Sequence, residues 1–171
     1  IAWPLAKYSD QLAVQVADAC IFVSQDTKND AVKFYNADPA KCFVVESGVN
    51  IYKFTQISAE ERDKSRRDLE IDLYDKVILY TGVMSERKGT HLLVESLAQL
   101  PANYKLLLVG SGSQDYMQRL TDSIKEHSLE KRVIRVGQTP YPQVHIAFQV
   151  ADLFVMPSSF EGIPKVVLES L

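Results

Sequence analysis

Leu153-Phe154-Val155-Met156-Pro157-Ser158-Ser159-Phe160-Glu161-Gly162-Ile163-Pro164-Lys165-Val166-Val167-Leu168-Glu169 decides how this 171-residue chain is read. Four apolar residues held between Asp152 and Pro157 predict a short buried strand. A loop of small, turn-forming residues follows. Pro164 then falls where a first helical turn begins, because its fixed φ suits that position and its missing N–H is not needed there. Strand, glycine-containing loop and helix in this order aim the free amides of the first helical turn at the space above the strand ends. The positive end of the helix dipole points there too, so an anion such as a phosphate is the favoured occupant.

Glu161 lies on that loop, and Glu169 lies between one and two turns into the predicted helix. The two carboxylates can approach one polar ligand from different sides. Acceptor-only groups beside an anion-binding helix end suit sugar hydroxyls, which donate to them. Taken alone, the same pair also reads as a loop carboxylate and a solvated helix residue.

Upstream, the same alternation repeats. Strand Val77–Thr81 runs into the loop 82–89, which carries Gly82, Arg87, Lys88 and Gly89, and a helix over Thr90–Leu100 follows with Leu92, Leu93, Leu97 and Leu100 on one face. Strand Leu106–Val109 enters Gly110-Ser111-Gly112 and a helix with Met117, Leu120 and Ile124 at three- and four-residue spacing. Strand Val133–Val136 ends at Gly137, and a loop with Pro140 and Pro142 precedes a helix through Ala151. Continuous branched apolar strands alternating with helices predict an α/β fold, a Rossmann-like parallel sheet with helices on both faces, wound in the right-handed sense. Ligands of such sheets bind beyond the carboxyl ends of the strands, so the loops at 82–89, 110–113, 137–141 and 157–163 are expected to line one crevice. Singly, these loops say less. Gly110-x-Gly112 lacks the third glycine of a dinucleotide fingerprint, and Arg87 with Lys88 is consistent with a phosphate contact or with a solvated loop.

Toward the N-terminus, an amphipathic segment over residues 10–24 runs into a strand at Cys20–Val23. A helix from Thr27 to Tyr35, a turn at Asn36-Ala37-Asp38-Pro39 and a strand at Cys42–Val45 complete one α/β unit. Residues 46–63 read as a linker entering a charged helix at about 59–69.

Composition narrows the class. The chain is 46% hydrophobic and 24% charged with a net charge of −3, ordinary for a globular protein and without the basic field that nucleic acid requires. Its longest apolar runs are strand-length, far short of the ~20 residues that cross a bilayer, and no secretion signal is visible. Cys20 and Cys42 sit in apolar runs and read as reduced core residues of a cytoplasmic protein. His91, His127 and His145 lack metal-ligand spacing, and no Asp-x-Asp is present to chelate a diphosphate through a divalent ion.

Several segments together resemble glycosyltransferase family 4, the retaining transferases of the GT-B fold. They are Glu-x₇-Glu at 161–169, Pro-Ser-x-x-Glu-Gly at 157–162, Lys88-Gly89 after a strand, Val109-Gly110-Ser111-Gly112, Val133 to Gly137, and Ala151-Asp152-Leu153-Phe154-Val155. Ala17-Asp18-Ala19 through Ser24, and Ser47-Gly48-Val49-Asn50, resemble the closing part of that family's N-terminal domain. The resemblance implies that residues 1–55 are the end of an acceptor-side domain with its linker. Residues 56–171 would then be the nucleotide-sugar domain, the C-terminal half of a GT-B fold. It assigns Glu161 to the hydroxyls of the donor sugar and the amides after Gly162, near Ile163 and Pro164, to the sugar and β-phosphate. Glu169 falls to the ribose, and Lys88 to the diphosphate as it leaves, which makes a metal cofactor unnecessary. Gly82, Gly110 and Gly137 border the nucleotide.

The family commonly has an arginine where this chain has Val83, and Arg87 is the candidate substitute. Most of the acceptor-side domain is missing, so the chain reads as a fragment of a longer enzyme, inactive alone. That enzyme would transfer a hexose from a nucleotide-diphosphate sugar to a glycan or lipid-linked acceptor. The resemblance also admits peripheral association of the full-length protein with the inner face of the membrane. Two alternatives stand beside this reading: a non-catalytic nucleotide-sugar-binding subunit, and a nucleotide-sugar epimerase or hydrolase on the same architecture.

Overall fold

The computed structural model describes residues 2–139, 144–161 and 164–171. The described residues within 1–48 and 162–165 pack as one unit, and those within 49–161 and 166–171 as another.

The first unit holds helix α1 (Ala2–Val16), strand β1 (Cys20–Phe22), helix α2 (Gln25–Tyr35), a 3₁₀ turn (Pro39–Lys41) and strand β2 (Cys42–Val44). β1 and β2 pair in parallel with Cys20 opposite Cys42, and both cysteines are free. Helix α2 starts two residues before Thr27 because Ser24 caps it. The Ser24 side chain accepts from the Thr27 amide, and the Thr27 side chain closes the box on the Ser24 amide. Asn36, with φ 55°, ends it in the left-handed conformation.

In the second unit, helix α3 (Ala59–Asp68) leads into a four-stranded parallel sheet of order β5-β4-β3-β6. Its strands are β3 (Lys76–Thr81), β4 (Tyr104–Val109), β5 (Val133–Gly137) and β6 (Leu153–Phe154). Helices α4 (Thr90–Ala98), α5 (Gln114–Glu126) and α6 (His145–Val150) connect the strands, and α7 (Lys165–Glu169) follows β6. The two-residue alternation of a strand divides the core between the faces. Tyr80, Leu106 and Leu108 pack with Val94, Leu97, Leu120 and Ile124 on one side. Val77, Leu79, Leu107 and Val109 pack with Ile71, Ala147 and Val150 on the other. Each fully buried leucine or valine of this set contributes about 1.5–3 kcal/mol.

Several local expectations are adjusted. Leu92 is 44% exposed, and Val94 takes its place in the core, because the buried face of α4 runs through Thr90, Leu93, Val94 and Leu97. The final strand is shorter than its apolar run, since β6 has strand partners only at Ile78 and Leu79.

Helix α3 is charged nearly all round, and its anchor is polar. Arg66 is buried, donating to the carbonyls of Leu73, Asp75 and Val150 and to Asp152 Oδ2 at 2.8 Å. Arg62 donates to Asp152 Oδ1 at 2.8 Å, and the Val77 amide to Oδ2 at 2.7 Å. Burial opposes ionisation of Asp152 more than any other influence. The Val77 amide and the two guanidinium groups together outweigh it and hold the carboxyl below its ordinary range.

Candidate functional site

Beyond the carboxyl ends of the strands the hydrogen-bonded ladder continues through the loops. Gly82 donates to the Val109 carbonyl at 2.9 Å, Met84 to Ser111 at 2.8 Å, and Gly110 to Gly137 at 2.7 Å. A Cβ on Gly110 would stand 2.0 Å from the Gly82 carbonyl oxygen, and its φ of 130° excludes other residues as well. Gly82, Gly110 and Gly137 are thereby stitched side by side. A cavity of about 210 Å³ opens there, lined among others by Gly82, Val83, Gly110, Ser111, Gln138 and Thr139.

Tyr80, at the penultimate position of β3, donates from its hydroxyl to the Val83 carbonyl at 2.8 Å and fixes the first loop. Its phenol pKa is raised far above the usual value, first by burial and next by the Glu161 charge, so it remains a donor.

A second pair of loops is clasped alongside. Glu86–Lys88 form a 3₁₀ turn closed by Gly89 with φ 68°. The Ser159 amide and hydroxyl both donate to the Arg87 carbonyl, at 3.0 and 3.2 Å. Arg87 Nη1 in turn donates to the Phe160 carbonyl at 2.6 Å. This clasp sets Lys88 Nζ in direct hydrogen-bonding contact with Glu161 Oε1, with Arg87 Nη1 3.6 Å from the same oxygen. The Glu161 carboxyl is held below its usual range, chiefly by the Lys88 hydrogen bond and against the opposing effect of burial, with the charges of Lys88 and Arg87 adding to it.

The structure thus gathers Lys88, Arg87 and Glu161, three of the residues singled out in the sequence, with the three loop glycines at the same end of the sheet. Glu169 is 5% exposed and lies in the wall of a larger cavity of about 430 Å³, which it shares with His145, Arg62, Asp152, Phe54 and Phe148. Pro164 immediately precedes α7, one residue outside the helix. Gly162 and Ile163, expected to offer amides to the sugar and β-phosphate, and the Pro140/Pro142 loop lie outside the described residues. Tyr80 and Ser159 have clear places in this site, yet sequence reading passed over them. Their only signal is a hydroxyl at a strand end or in a loop, which takes its meaning from a partner far along the chain.

Rossmann-like parallel sheets of this class bind their ligands beyond the carboxyl ends of the strands, which is where these two cations and the carboxylate gather. Residues 61–171 match the family Glycosyl transferases group 1, and the chain belongs to it. It is 27% identical over 171 residues to the D-inositol 3-phosphate glycosyltransferase of Corynebacterium efficiens, covering 96% of this chain and 40% of that protein. A Campylobacter jejuni relative is 28% identical over 165 residues, covering 96% of this chain and 42% of its own length. That relative is the N-acetylgalactosamine-N,N'-diacetylbacillosaminyl-diphospho-undecaprenol 4-alpha-N-acetylgalactosaminyltransferase. In fold, the chain is similar to Anabaena HepE, crystallised with UDP and glucose, with a TM-score of 0.86 at 24% identity over 96% of this chain and 46% of that one. The architecture is that of GT-B glycosyltransferases, and the chain spans about two fifths of the length of these curated relatives. Among the described residues, no helix is long and apolar enough to cross a membrane.

Proposed function

We propose that this chain is the donor-binding part of a retaining glycosyltransferase of family 4. It would transfer a hexose from a nucleotide-diphosphate sugar to a glycan or lipid-linked acceptor at the cytoplasmic face of the membrane. The observation that carries the reading is the meeting of Lys88, Arg87 and Glu161 beside the stitched glycine loops. A diphosphate and the sugar it carries need opposite partners. Cations neutralise the phosphate oxygens as charge builds on the leaving group, and a carboxylate accepts from the sugar hydroxyls.

In this reading Lys88, assisted by Arg87, supplies the positive charge, and no metal ion is required. Glu161 orients the hexose. The bond from the anomeric carbon to the diphosphate oxygen breaks, a bond to the acceptor oxygen forms on the same face, and the acceptor proton leaves with the diphosphate. The Gly82, Gly110 and Gly137 loops border the nucleotide, and Glu169 takes the ribose. Residues 1–55 are the end of the acceptor-side domain, and residues 56–171 are the donor domain.

The test is a screen of nucleotide sugars with the full-length protein, followed by nuclear magnetic resonance of the product. Turnover of one such donor with retention at the anomeric carbon supports the proposal. Inversion, or hydrolysis or epimerisation without transfer, overturns it.

A further inference from the structure

Helix α4 begins directly after Lys88-Gly89, and its N-terminus is built differently from those of its neighbours. The first amides of a helix lack internal partners, and a side-chain oxygen at the cap position usually accepts from one of them. Ser24, Ser58 and Ser113 do this for α2, α3 and α5. The cap of α4 is Gly89, which has no side chain to offer. Nor can it carry one: a Cβ at Gly89 would lie 2.5 Å from the Pro157 carbonyl oxygen. The close approach of these two loops therefore removes the ordinary capping group from the helix that follows Lys88.

The missing acceptor comes from another helix. Tyr116, in the first turn of α5 and 5% exposed, places its hydroxyl 3.1 Å from the His91 amide. The same oxygen is 2.7 Å from Thr90 Oγ1 and 3.2 Å from His91 Nδ1. Thr90 is fully buried and Tyr116 nearly so, and the hydroxyl meets the first turn of α4 where the two helices pack. On the opposite side, the turn bearing Lys88 is held by the bonds from Ser159 to Arg87.

We propose that Tyr116 is a positioning residue for Lys88. It caps α4 from across the domain and so fixes the turn from which Lys88 meets the diphosphate. The inference rests on the reading of Lys88 given above, and Tyr116 itself touches no substrate.

The experiment uses the full-length protein with Tyr116→Phe, Lys88→Ala and the double variant. Calorimetry with UDP, ADP, GDP and TDP identifies the tightest nucleoside diphosphate, and the matching monophosphate serves as the control. Hydrogen exchange follows the His91 amide. Tyr116→Phe keeps the packed ring and is expected to weaken the diphosphate about fivefold, the effect of one lost capping bond, while changing the monophosphate less than twofold and speeding His91 exchange. In the Lys88→Ala background the tyrosine change should have no further effect on diphosphate affinity, because the residue it positions is gone. Equal weakening of both nucleotides, additivity in the double variant or unchanged diphosphate affinity in Tyr116→Phe overturns the proposal. If Lys88→Ala weakens the diphosphate while Tyr116→Phe is silent, only the positioning role is lost. If no diphosphate binds, or Lys88→Ala leaves its binding intact, the donor-site reading falls and this inference with it.

Discussion

Lys88 and Glu161, 73 residues apart in sequence, form an ion pair beyond the carboxyl ends of the sheet, each side chain 19% exposed. In the proposed function, an incoming diphosphate competes with Glu161 for the same ammonium group. The carboxylate assigned to the sugar in that reading is therefore also the counter-ion that the leaving group would displace.

Glu161→Gln removes that competition. Affinity for a sugar-free nucleoside diphosphate is expected to rise severalfold, while kcat falls by about a hundredfold because the sugar loses its charged partner in the transition state. Calorimetry and steady-state kinetics on the full-length enzyme read the two effects separately. A fall in nucleoside diphosphate affinity would show that Glu161 attracts rather than competes.

Asp152 should make the fold sensitive to acid. Its folded-state pKa lies below the ordinary 3.8, so its contribution is fully present above that value and is lost as pH falls through the lower folded one. The wild-type Tm should drop steeply below about pH 4, and Asp152→Asn should flatten that limb. At neutral pH, Asp152→Ala should cost about 3 kcal/mol, the low end for stranding a buried guanidinium, since Asp152 itself is 29% exposed. Denaturant titration at both pH values checks the sign and the size.

Gly110 and Gly137 separate steric contact from backbone strain. Gly137→Ala meets nothing within 4 Å and carries only a left-handed φ of 66°, a cost of about 1–2 kcal/mol. Gly110→Ala adds a clash with the Gly82 carbonyl, so it must push the two loops apart. Nucleoside diphosphate affinity should fall at least tenfold for Gly110→Ala and under threefold for Gly137→Ala. Thermal unfolding of the two variants beside the binding data shows whether strain alone accounts for the loss.

Nucleoside diphosphate binding should be unchanged by excess chelator, since Lys88 and Arg87 supply the charge in the proposed mechanism. Strict dependence on magnesium or manganese, seen by calorimetry with and without the chelator, removes that part of the mechanism.

The strands were legible because continuous apolar runs such as Leu106-Leu107-Leu108-Val109 fit little except a sheet covered on both faces. Lys88 and Glu161 were legible through the motifs around them. Tyr80 and Tyr116 were not, because a tyrosine in an apolar pattern reads as packing, and what its hydroxyl touches is settled by loops brought together from distant sequence. Leu92 was misplaced for a related reason. Its spacing to Leu93 and Leu97 fits more than one helical face, and only the sheet beneath chooses between them.

The buried Arg66 bears on how the domain forms during synthesis. Its principal partners, the Val150 carbonyl and Asp152, lie 84 and 86 residues later in the chain. Helix α3 buries only Arg66 itself, so it has no apolar stripe with which to dock early. While a ribosome is still making the intervening residues, the guanidinium has only the nearby Leu73 and Asp75 carbonyls and water to satisfy it. Closure of α3 onto this sheet must therefore wait for α6 and β6 to emerge, and a pause in translation before Asp152 would leave the domain open at that seam.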